Sequence, residues 1–147
     1  MQKTFKLKKK SKSQITFENS YYSDRGLWLF VMISPDSKKN SICVYIGWSS
    51  NGAVPLYMVD DIRALDINGQ EHELESHCFE MRKLISENDP YEVLPLPSGV
   101  EQLRDYLVPL ESAWAAEIVR PILEKIQKDL NVYANSYFDW LISKKLD

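Results

Sequence analysis

In the first half of the chain apolar and polar residues alternate, as on a strand; in the last third apolar residues recur every three to four positions, as on a helix. Gln14–Asn19 reads Q-I-T-F-E-N, with Ile15 and Phe17 set against polar neighbours. A polar connection bearing Tyr21 and Tyr22 runs to Gly26. Gly26–Ser34 is apolar at every interior position, which requires cover on both faces and predicts a central strand. Pro35 to Asn40 supplies turn chemistry. Ser41–Trp48 places Ile42, Val44, Ile46 and Trp48 on one face, and Cys43 and Tyr45 on the other. Asn51-Gly52 predicts a tight hairpin into a further strand at Ala53–Val59, held to an edge by Pro55, which cannot donate to a ladder.

The middle of the chain is less patterned. Asp60 to Asp66 suits a helical turn or a strand, and Asn68-Gly69 signals a turn. Gln70–Ser76 (Q-E-H-E-L-E-S) suits a charged edge strand with Glu71, Glu73 and Glu75 on one face and His72 and Leu74 on the other. Phe79 to Asn88 suits a strand or a short helix. Pro90, Pro95, Pro97 and Gly99 make Asp89 to Gly99 a connection.

Helix signals then take over. Ser98 and Glu101 form a capping box, and a helix bearing Val100, Leu103, Tyr106 and Leu107 runs to about Val108, where Pro109 ends it. A second helix begins near Glu111 and carries Trp114, Ile118, Ile122, Ile126 and Leu130, broadened by Ala115, Val119 and Leu123. Pro121 lies inside this pattern and predicts a kink. A third stripe holds Tyr137, Phe138, Trp140 and Leu141. One helix over residues 111–145 would be about 52 Å long and would overhang a compact domain, so a break is expected near Asn131–Asn135.

The expected fold is α+β: an antiparallel meander of four to six strands in residues 13–78, followed by three helical segments over 98–146 packed on one face. Residues 13–147 form one domain, preceded by a basic arm, residues 1–12. The second face of the Leu27–Ile33 strand needs cover from the middle segment or from a second copy, so a homodimer is one expectation.

Composition narrows the functional classes. The longest apolar run, Leu27 to Ile33, is far short of the roughly 20 residues of a membrane span. The lysine-rich start leads into Ser11, Lys12, Ser13 and Gln14 rather than an apolar stretch, which is not a secretory signal. Cys43 and Cys78 form neither a disulfide framework nor a CxxC motif, and a cytoplasmic protein is expected. Lys3, Lys6, Lys8, Lys9, Lys10 and Lys12 fall within residues 1–12, whereas none of the 21 acidic residues does. A cationic arm thus precedes an acidic body, which bears on partners rather than on fold.

Candidate chemistry is sparse. His72, His77 and Cys78 are the weak candidates for a metal, but they lack HExxH or paired-CxxC spacing, and a strand would split them. Asp60 and Asp61 are adjacent, so they diverge rather than converge on one substrate atom. The five glycines are isolated, no GxSxG occurs, and no cofactor is implied. Tyr21, Tyr22, Trp48 and Tyr57 sit near strand ends and turns, with Arg25 beside the first two; exposed Tyr, Trp and Arg are the residues that mark protein interfaces. The acidic set Glu71, Glu73 and Glu75 suits a cationic partner.

The reading that follows is a small cytoplasmic, bacterial-type, non-enzymatic module that binds a protein partner. In general character it is similar to toxin-neutralising immunity proteins, whose acidic surfaces mask basic targets, although no motif is shared. Two alternatives carry their own tests. A small-molecule or metal-dependent enzyme would use His72, His77, Cys78 and Asp60 in a pocket between sheet and helices, and would hold stoichiometric metal. A nucleic-acid binder would act through the lysine arm, with affinity falling steeply with salt.

Overall fold

A computed structural model describes residues 4–11, 14–36, 41–56, 58, 76–86, 90–91 and 111–146, and of 36 and 111–119 the backbone only. Five strands form one antiparallel sheet in sequence order: β1 (Lys6–Lys10), β2 (Ile15–Asn19), β3 (Trp28–Asp36), β4 (Ser41–Ser49) and β5 (Ser76–Glu80). A short helix, α1 (Arg82–Ile85), follows β5. The C-terminal helical run comprises α2 (Glu111–Asp129), a π-helical segment Leu130–Ala134 and α3 (Asn135–Leu146). The architecture is α+β, as the hydrophobic pattern predicts. No helix among the described residues is long and apolar enough to cross a membrane.

Period-2 alternation assigns the two faces. Phe17 pairs with Val31, Val31 with Ile46, and Ile46 with Phe79, so these side chains share one face. That face buries Leu29, Val31, Val44, Ile46, Trp48 and Phe79 together with Ile126, Ala134, Tyr137, Phe138 and Leu141 of the helical run. Aromatic contacts tie α3 to the sheet: Phe79 and Tyr137 meet edge to face at 4.8 Å, and Phe5 lies 5.5 Å from Phe138. Phe30, Met32 and Cys78 are buried on the opposite face. β3, apolar from Trp28 to Ile33, is the middle strand, as predicted.

The second face is covered from within the chain. Val54 packs on the Phe30–Met32–Cys78 cluster, Gly52 lies against the Trp28 indole, and buried Pro55 sits over Gly47. Phe30 and Met32 are therefore buried without a second copy.

The structure departs from the sequence reading at several places. Residues 53–56 lack regular structure, and Met58 makes only a single parallel bridge with Cys78, so Ala53–Val59 is not the expected strand. Covering the second face takes that segment across the sheet instead of along its edge. Asn51-Gly52 correspondingly closes no two-residue hairpin. Its turn is held by side chains, with Ala53 N–H donating to Asn51 Oδ1 and Gly52 N–H to Ser49 Oγ. Finally, the sheet reaches from Lys6 to Glu80 rather than over 13–78, because Lys6–Lys10 of the basic arm is itself a strand.

Phe79 to Asn88 contains both predicted forms, the end of β5 and then α1. The expected break near Asn131–Asn135 is a π-helical turn rather than an interruption, and α3 continues from it. The predicted helix over Ser98–Val108, the Gln70–Ser76 strand up to residue 75 and the Asp60–Asp66 element lie outside the described residues.

Candidate functional site

Of the candidate catalytic and metal-ligating residues, the two described ones, His77 and Cys78, are not brought together. His77 and Cys78 are consecutive in β5, so the pleat sends them to opposite faces. His77 is fully buried in the helix-facing core. The Trp48 indole N–H donates to His77 Nε2, with ring centroids 4.3 Å apart and nearly perpendicular. The imidazole proton then belongs on Nδ1, which has no hydrogen-bond partner among the described residues. Burial, and secondarily the Lys145 ammonium, lower the His77 pKa to about 4. Lys145 Nζ itself lies 3.9 Å from the centre of the Trp48 ring, a cation–π contact that closes this corner of the core.

Cys78 lies in the opposite cluster, its sulfur 3.7 Å from the Pro55 carbonyl oxygen and 3.5 Å from Met58 Sδ. Burial pushes its thiol up to about 11, away from the thiolate that nucleophilic attack or metal ligation requires. Among the described residues no group of three or more His, Cys, Asp and Glu is placed to hold a metal ion. His72, Asp60, Asp61, Glu71, Glu73, Glu75, Tyr57, Lys3 and Lys12 lie outside the described residues.

Trp48 was expected near an exposed strand end, yet it is fully buried, so it offers no contact surface. Its position on the helix-facing side of β4, between His77 and Lys145, explains the difference.

Tyr21, Tyr22 and Arg25 do come together. The chain after β2 makes a 3₁₀ turn, Ser23–Arg25, closed by Gly26 in the left-handed region at φ 77°. Backbone bonds from Ser23 to Ser20, from Arg25 and Leu27 to Tyr22, and from Gly26 to Ser23 fix it. Tyr22 packs against the main core and holds Tyr21 edge-on at 4.8 Å. Tyr21 remains 68% exposed. Arg25 is exposed, and its guanidinium donates to the Leu146 carbonyl at the end of α3, where the helix dipole favours a cation.

This corner is bolted to β1. The buried Asn19 amide donates to the Thr4 carbonyl at 2.8 Å, and its carbonyl oxygen accepts from Tyr21 N–H at 3.1 Å. All five residues of β1 are exposed. Lys8 occupies a bulge between Leu7 and Lys9, pairs with Glu18 at 2.8 Å and donates to the Gly52 carbonyl at 3.0 Å. Sequence reasoning took the lysine run as an arm and missed this strand. The Phe5–Leu7 alternation with Lys6 and Lys8 is the signal that marks it.

The chain matches no known protein family, no curated protein and no solved structure.

Proposed function

We propose that this protein is a non-enzymatic, cytoplasmic protein-interaction module that engages its partner at the Tyr21–Tyr22–Arg25 corner. The observation that carries this reading is a largely exposed tyrosine mounted on a hydrogen-bonded turn, backed by a second ring and flanked by an exposed arginine. Such a side chain loses little conformational freedom on binding and buries a large area, the character of an interface hot spot. The enzyme alternative draws less support, because the sheet separates His77 from Cys78, two of the four residues it invoked.

The test is recovery of a stoichiometric partner from the source cell on the immobilised full chain, repeated with Tyr21→Ala plus Arg25→Ala. Loss of the partner, with circular dichroism and melting unchanged, supports the reading. Equal retention by both forms removes this corner, and a Glu71→Gln, Glu73→Gln, Glu75→Gln form then asks whether the acidic segment binds instead. Stoichiometric zinc or iron in the purified protein would overturn the non-enzymatic reading altogether.

A further inference from the structure

We propose that the outer edge of β1 is a strand-addition site for an extended acidic polypeptide segment, an inference that rests on the protein-binding reading above and names the chemistry of the partner.

The sheet's two edges differ. At β5 the chain itself supplies a neighbour, the Met58–Cys78 bridge. At β1 the ladder pairs only with β2, and no further strand adjoins it among the described residues. An open edge presents unpaired N–H and C=O groups that a second extended chain can satisfy. Four of the five residues of β1 are lysines. Lys8 is engaged by Glu18, whereas Lys6, Lys9 and Lys10 are exposed and make no ion pair with a described residue.

These charges choose the occupant. A second copy pairing through its own β1 would set lysine against lysine, which is destabilising across a ladder. An alternating acidic strand meets the opposite sign at Lys6 and Lys9, with its apolar residues on the Leu7 and Lys10 side. The charge that blocks self-association therefore also selects the partner. A nucleic acid fits less well, because the lysines do not form one stripe. Lys6 and Lys9 pair with Glu18 and Thr16 on one face of the sheet, while Lys10 pairs with Ile15 on the other, as Leu7 does with Phe17. Leu7 is 58% exposed and offers apolar contact beside Lys10. Alternating acidic and apolar residues match that layout. The edge also begins at Thr4 beside the Tyr21 corner, so one segment can engage both.

The test uses the full chain and a ten-residue peptide of alternating glutamate and valine. Its controls are the same peptide methylated on alternate backbone nitrogens, a lysine–valine counterpart and a single-stranded oligonucleotide of similar charge. Calorimetry at low salt should show binding of the acidic peptide alone. Methylation should weaken that binding at least about tenfold, because it removes ladder donors, and so should Lys6→Gln, Lys9→Gln, Lys10→Gln. Hydrogen exchange of the β1 amides should slow on binding. No binding, binding indifferent to methylation, or tighter binding of the oligonucleotide with a steep salt slope would overturn the proposal. Such a failure alongside Tyr21- and Arg25-dependent partner capture removes only the β1 edge; loss of that capture as well removes the underlying reading.

Discussion

His77 is held neutral in the fold, and this couples stability to pH. The unfolded imidazole titrates near 6.5, whereas the buried one titrates at about 4. Between those values the unfolded chain binds a proton that the folded chain does not. This contribution is therefore fully present above pH 6.5 and is lost as pH falls toward 4, by roughly 3 kcal/mol at most. His77→Gln keeps an acceptor for the Trp48 indole but cannot titrate. Urea unfolding across this range should give a shallower pH dependence for the variant, and parallel curves would sink the assignment. Gly47 offers a steric counterpart. A Cβ there would lie 2.6 Å from Pro55 Cγ and 2.9 Å from both Cys78 Cβ and the His77 carbonyl oxygen. Gly47→Ala should cost about 3 kcal/mol in urea unfolding, since the β5 backbone and the buried ring of Pro55 must both move.

At the scale of elements, the π-helical segment sets how α3 meets the sheet. A π turn holds more residues than an α turn and shifts the angular phase of everything after it. Tyr137, Phe138 and Leu141 follow this turn and are buried, while Ser136 and Asp139 are exposed. Deleting exposed Val132 would turn the π turn into an α turn with one residue fewer and leave the stripe close to its present phase. We expect this deletion to preserve the near-ultraviolet circular dichroism, whereas inserting one alanine after Ser136, which rotates the stripe by about 100°, should weaken it and lower the melting temperature. Point changes should separate the two sides of α3. Phe138→Ala should cost about 3–5 kcal/mol, and Ser136→Ala less than about 0.5 kcal/mol.

For the whole molecule, the lysine-rich start is a structural edge as well as a charged one. Removing residues 1–11 takes away β1, the Phe5 contact with Phe138 and the Thr4 acceptor of Asn19, and uncovers the edge of β2. The truncated chain should melt several degrees lower, at roughly 2–4 °C for each kcal/mol lost, and should self-associate in sedimentation. Truncation therefore confounds a test of lysine-dependent binding, for which substitutions to glutamine are the cleaner instrument. An untruncated-like melting curve would show that β1 adds nothing to the sheet's stability.

What the sequence by itself determined is what periodicity encodes locally. The strands β2, β3 and β4 in their central residues, their inward and outward positions, the central place of β3 and the C-terminal helical run were legible, whereas the continuity of that run through residues 130–134 and the extension of β3 to Asp36 were not. Tyr21, Tyr22 and Arg25 were legible as a group because they are close in sequence. Tertiary structure alone decided what depends on non-local burial. It drew Trp48 inward against His77 and Lys145, turned the Lys6–Lys10 segment into a strand by pairing it with β2, and laid Pro55 over Gly47 where a strand had been expected. The physical reason is that alternation tells which faces must be covered, but not which distant segment covers them; that choice belongs to the packing of the whole chain.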